Sequence, residues 1–227
     1  MKGGILQKIV RPSGRLEKWL SGWLVLVLLP FLLPAQIQPG ALEPADANEA
    51  RLNRLQPPPR VMDIIGVRPG MVVAEIGAGR GRYVMPLADR VGAAGLVYAE
   101  DIDGQALKYL QQRCRRWNVG NVVAVLGDVT DPRLPAGQID LIWIVSSYHH
   151  FSDPVSLMKR ARAALKPDGR VAIGEWAATD QADTSGTTIE AITAQMKAAG
   201  FVRERIDDSF KANDFIIYIF KPVRLGP

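Results

Sequence analysis

Four short apolar runs, at 72–76, 96–99, 122–126 and 139–145, alternate with helix-like stretches along the middle of the chain. This alternation constrains the fold more than any other feature, because strands joined through helices lie parallel in one sheet that is covered on both faces. Helices are predicted over 83–91, 104–117 and 154–165, the last ended by Lys166-Pro167-Asp168-Gly169 as a turn. An earlier one starts at Pro57-Pro58-Pro59, carries Val61, Ile64 and Ile65 at helical spacing, and closes on Arg68-Pro69-Gly70. A fifth strand is read at 170–175 and a further helix at 188–199, ended by Gly200. Strands at 201–206 and 215–220 follow, joined by a short polar loop with no helix, so they pair as an antiparallel hairpin. The expected fold is α/β: a doubly wound, seven-stranded sheet, mostly parallel, with an antiparallel C-terminal hairpin strand.

The chain has 227 residues, enough for one such domain behind a leader. Lys2, Lys8, Arg11, Arg15 and Lys18 precede the uncharged run 19–33, the layout of a signal peptide or membrane anchor. Against Glu17, those five basic residues supply +4 of the net charge of +5, leaving +1 for everything after residue 18. The basic excess therefore belongs to the leader and not to a nucleic-acid surface, and no nucleic-acid partner is expected. The expected organisation is a signal peptide or anchor over 1–35 and a proline- and alanine-rich linker over 36–55. The folded domain then spans 56–222, with a tail at 223–227. Positive flanks stay cytoplasmic, so the domain is expected outside the cytoplasm, exported or membrane-anchored, with the cytoplasmic face of the membrane as the alternative. Cys114 is the only cysteine, which excludes an intramolecular disulfide and a multi-cysteine metal site. No feature of the sequence specifies an oligomeric state.

Glycines 77, 79 and 81 stand at the carboxyl end of the first strand, where doubly wound sheets bind ligands. A dinucleotide fingerprint would need its third glycine at position 82, which is Arg82. Taken alone, the trio also fits a tight strand-to-helix turn with no ligand. The second strand ends in Glu100 and Asp101, about two dozen residues on, where a carboxylate can accept from two ribose hydroxyls. Asp103 is placed to cap the next helix. After the third strand comes Gly127-Asp128-Val129, and after the fourth Ser146-Ser147-Tyr148-His149-His150.

The pattern Glu75-x-Gly77-x-Gly79-x-Gly81 resembles motif I of class I S-adenosylmethionine-dependent methyltransferases, and the later segments continue the series. From Arg54 to Lys221 the chain resembles the small methyltransferases related to the quinone-biosynthesis C-methyltransferases. The resemblance implies a Rossmann-like sheet, S-adenosyl-L-methionine as cofactor and no metal. It also implies cofactor contacts from Glu75, Gly77, Ala78, Gly79, Gly81 and Ser146. Asp101 is implied on the ribose, Ile102 on the adenine face, and Asp128 with the backbone of Val129 at the adenine amino group. Arg80 departs from the family, which carries a small residue there.

An acidic acceptor needs a base, and His149 and His150, the only histidines, stand at the tip of the fourth strand. Neighbours on extended backbone point oppositely, so at most one faces the pocket. Tyr148, Glu175 and Trp176 are further pocket candidates. The stretch after strand four lacks the Asn/Asp-Pro-Pro-aromatic motif of base and amide methyltransferases, so the expected acceptor is a small molecule. A non-catalytic cofactor-binding module of the same fold and a nicotinamide-dependent oxidoreductase are the rival readings.

Overall fold

The computed structural model describes residues 39–176 and 187–223. The expected leader over 1–35 and most of the tail over 223–227 lie outside the described residues.

Helix α1 (Ala47–Leu55) and helix α2 (Pro58–Ile65) lead into strand β1 (Val72–Ile76). Then come α3 (Val84–Val91), β2 (Leu96–Asp101), α4 (Gly104–Arg116), β3 (Val122–Leu126) and β4 (Ile139–Val145). The chain continues through α5 (Pro154–Ala164), β5 (Leu165–Trp176), α6 (Ile189–Ala198), β6 (Phe201–Phe210) and β7 (Phe215–Pro222). The seven strands form one sheet in the order β3-β2-β1-β4-β5-β7-β6. The first five run parallel, with β1 in register with both β2 and β4, while β7 is antiparallel to β5 and to β6. The strand order reverses beside β1, so the crevice at the carboxyl ends of β1 and β4 is the ligand position of this architecture.

Alternation along β1 and β4 explains both layers of the core. Val73, Leu141 and Trp143 face one way and pack with Leu87, Leu107 and Leu110 of α3 and α4. Ala74, Ile142 and Ile144 face the other way and pack with Leu157 and Met158 of α5 and Ile192 of α6. A strand buried on both faces reads as a continuous apolar run, which is why these strands stand out in the sequence. Asp103 caps α4 by accepting from the Gln105 N–H at 2.8 Å, as expected.

Three expectations change. Residues 39–55 of the expected linker are folded: Pro39–Leu42 is a 3-10 turn, and α1 follows with Asp46 as its N-cap. Composition misled here because the segment draws its order from the domain. Ala41 is fully buried, and Gly40 lies so close to Trp117 that a β-carbon would sit 2.5 Å from the indole. Glu49 and Arg113 form a buried bidentate ion pair at 3.0 and 3.2 Å, and Arg113 also donates to the Glu43 carbonyl at 2.9 Å. Second, the expected turn at 166–169 is a bulge inside β5, whose pairing with β4 jumps from Ile139↔Leu165 to Leu141↔Arg170. Third, β6 extends to Phe210, and the polar loop before β7 contains a 3-10 turn at Lys211–Asn213.

Removing one partner of a buried ion pair strands the other charge in a low-dielectric site. Glu49→Ala is expected to cost about 3 kcal/mol of stability, less than a wholly isolated charge would, since Arg113 keeps a carbonyl acceptor. Urea unfolding monitored by circular dichroism measures this, and a midpoint equal to wild type would refute the anchoring of α1 through Glu49.

Candidate functional site

Beyond Ile76 the chain turns sharply through the glycine loop. The Gly77 and Ala78 N–H groups donate to the Glu100 carbonyl at 3.0 and 2.9 Å. The Gly79 N–H donates to Asp101 Oδ2 at 2.7 Å, and Asp101 Oδ1 accepts from the Asp103 N–H at 2.8 Å. The loop is thus pinned to the end of β2 by backbone donors, and each Asp101 oxygen keeps a lone pair for a further donor. Gly77 has φ of 76°, and a β-carbon there would lie 2.6 Å from Ser147 Oγ, so position 77 excludes a side chain twice over.

A cleft of about 330 Å³ opens beside this loop. Of the expected residues, Gly77, Asp101, Ile102, Asp128, Val129, Ser146 and His150 line it. Glu75 is buried beneath the loop and Ala78 packs into the core, whereas Gly79 and Gly81 shape the loop from behind, Gly81 close against Leu110. Ser147, Phe151, Ser152 and Leu157 also line the cleft and were not among the expected site residues. Glu100 lines it too, the acid that the sequence placed beside Asp101 but to which it gave no contact. A larger cavity of about 570 Å³, lined by Arg68, Asp140 and Arg170 among others, lies at the amino ends of β1 and β4, away from the crevice where such sheets bind ligands.

The two histidines sit on a 3-10 turn, Tyr148–His150, and not on extended backbone. His150 lines the cleft, while His149 turns to the end of β5. Its Nδ1 lies 2.9 Å from Oε2 of the fully buried Glu175, whose other oxygen accepts from the Tyr148 N–H at 2.7 Å. A carboxylate on Nδ1 holds the proton there and leaves Nε2 as the basic nitrogen. The rings of His149 and His150 lie 3.9 Å apart, centroid to centroid. Arg80 turns away to Asp46 of the N-terminal segment and stacks on Tyr109. Arg82 donates to Asn53 and Gln56 at 2.9 Å each, tying the loop to α1.

Burial governs the electrostatics. It raises the Glu75 carboxyl well above its usual range, against the pull of Arg82. It also pushes Glu100 up to about 8, helped by the neighbouring Asp101 charge and opposed by the Gly77 N–H. Ser146 holds a left-handed φ of 48°, a strained setting for a residue with a side chain.

Residues 73–169 match the family profile of the methyltransferase domain. Nocamycin O-methyltransferase of Saccharothrix syringae is 33% identical over 114 residues, which cover 50% of this chain and 41% of that protein. The ubiquinone/menaquinone biosynthesis C-methyltransferase of Idiomarina loihiensis is 34% identical over 116 residues, 51% of this chain and 46% of the relative. The chain thus spans less than half the length of either relative. Among solved structures, a SAM-dependent methyltransferase of Aquifex aeolicus superposes with a TM-score of 0.68 at 22% identity, covering 76% of this chain and 95% of that one. A geranyl diphosphate methyltransferase in complex with SAM superposes at 0.61 and 14% identity, covering 82% of this chain and 96% of that one. Residues 73–169 thus match a methyltransferase domain, and the sheet has the Rossmann-like fold of these solved structures.

The site's own chemistry fits S-adenosylmethionine. Glu75 Oε2 and Ser146 Oγ are buried without a hydrogen-bond partner among the described residues, as polar atoms reserved for a ligand are. The cleft joins carboxylates at Asp101 and Asp128 to the apolar, exposed side chains of Ile102 and Val129, matching a nucleoside's polar edges and flat faces.

Glu100 makes stability depend on pH. From its usual 4.5 up to about 8, the unfolded chain carries the carboxylate while the folded chain keeps the acid. Stability therefore falls as pH rises through that window, by up to about 1.4 kcal/mol per pH unit from this group, and the loss is complete above it. Glu100→Gln is expected to be more stable than wild type at pH 8, with a shallower slope, the remainder belonging to Glu75. Urea titrations from pH 5 to 9 read both quantities, and an unchanged slope would count against the buried acid.

Proposed function

We propose that this domain transfers the methyl group of S-adenosylmethionine to a small organic acceptor that gives up a proton in the reaction. The observation that carries the reading is the Gly79 N–H bound to Asp101, which holds the glycine loop open onto a cleft at the carboxyl ends of the strands. The free lone pairs of Asp101 suit the ribose hydroxyls, and Ile102 and Val129 suit the two faces of the adenine. Asp128 with the Val129 backbone suits its amino group. The buried Glu75 and the Gly77–Gly81 loop suit the amino-acid end. The bound cofactor supplies an activated methyl on a sulfonium, so the protein's work is positioning, exclusion of water and proton removal.

For the proton, we favour His149 because its ring is held by Glu175 and lies against that of His150, which lines the cleft. With the Nδ1 of His149 donating to the buried Glu175, Nε2 accepts from an O–H or an activated C–H. The relatives' names include both O- and C-methylation of small molecules, and both need such an acceptor. Association with a membrane through the basic and then apolar order of residues 2–33 would favour a lipid-soluble acceptor.

Calorimetry on the full chain is expected to show binding of S-adenosylhomocysteine, and Asp101→Ala is expected to weaken it at least tenfold. No binding by wild type would reject the reading, and binding of a nicotinamide cofactor in its place would establish the oxidoreductase. With labelled S-adenosylmethionine and an extract of the source cell, His149→Gln should lower transfer about a hundredfold or more while homocysteine-product affinity stays within about twofold. Undiminished transfer would remove His149 as the base. Export of a reporter fused after Pro44 would place the domain outside the cytoplasm, and reporter activity confined to the cytosol would place it inside.

A further inference from the structure

Glu100 is the one cleft-lining acid that the reading above leaves without a role. It is 2% exposed and forms part of the cleft's lining. A β-carbon on Gly127 would fall 1.7 Å from its Oε1, so the acid occupies the space that any side chain at 127 would need. From β1 it meets the Gly77 N–H, which already serves the Glu100 backbone carbonyl. On its own strand stands Asp101, whose two carboxyl oxygens each accept from a backbone N–H. The segment after β3 brings Asp131 and Asp128, the latter beside Arg133 at 3.5 Å, and His150 lines the opposite wall. No cation pairs with Glu100 among the described residues. Two adjacent carboxyls with such unequal surroundings divide their roles, one accepting from backbone donors, the other buried without a cation and suited to donate.

We propose that Glu100 binds the cofactor as a neutral carboxylic acid, donating its hydrogen bond to an acceptor atom on the nucleoside half of the ligand, beside Asp101, which accepts from it. The proposal rests on the methyltransferase reading. The cleft then recognises a nucleoside through donor and acceptor carboxyls set side by side, and affinity has a ceiling in pH. Ionisation of Glu100 near pH 8 removes the donor and places a second negative charge beside Asp101. Glutamine keeps a donor of similar reach and cannot ionise, whereas leucine fills the space without one.

The test is calorimetric titration of the full chain with S-adenosylhomocysteine from pH 6.5 to 9.5, for wild type, Glu100→Gln and Glu100→Leu. Comparing variants at each pH cancels titration of the ligand's own amino group. Relative to Glu100→Gln, wild type is expected to lose affinity about tenfold between pH 7 and 9. Glu100→Leu is expected to bind weakly at every pH, with thermal unfolding showing that it is folded. Parallel pH profiles for wild type and Glu100→Gln, or leucine binding as tightly as glutamine, would overturn the proposal and leave the methyltransferase reading standing. Absence of binding by wild type at every pH would overturn both.

Discussion

The hydrogen bond from the Gly79 N–H to the Asp101 carboxylate is the interaction on which the site depends. It links the turn after β1 to the end of β2, strands whose parallel register already brings Ile76 level with Glu100. Two more backbone donors, at Gly77 and Ala78, close on the Glu100 carbonyl and leave the loop little freedom. The chain cannot fold back tightly enough for this with a side chain at 77, because Ser147 from the end of β4 fills that space. Three strand ends thus meet at one loop, and the cleft is the space they leave.

The same loop is held from its other side by a segment whose composition suggests a mere tether. Arg113 of α4 reaches the Gly81 carbonyl while paired with Glu49 of α1, and Arg82 reaches Asn53 and Gln56. Helix α1 is therefore part of the support of the glycine loop, and its stability and that of the loop are coupled through buried charge. A buried pair of this kind is costly to break, which makes the N-terminal strap a structural element in its own right.

Acids dominate the chemistry of this end of the sheet, and environment separates their tasks. Asp101 accepts from two backbone donors at the cleft, burial raises the Glu100 carboxyl well above its usual range, and Glu175 holds a histidine ring. Three carboxyls at one end of the sheet thus take on different tasks because their solvation and partners differ.

Strand positions, the parallel order, the hairpin and the motif residues Gly77, Gly79, Gly81, Asp101 and Asp128 were legible in the chain, because burial on both faces and turn geometry demand particular residue types at particular spacings. The order within α1 was not legible, since its helix is held by contacts with α4 and the glycine loop, far away in sequence. Likewise His149 and His150 could be named but not told apart, for only the 3-10 turn and the buried Glu175, 26 residues on, decide which ring faces the cleft. The sequence by itself determined the fold class and the ligand end of the sheet, both set by local periodicity and backbone stereochemistry. Only the tertiary structure decided the support of the glycine loop by α1, the different settings of the two histidines and the burial of Glu100, because long-range partners and packing set these.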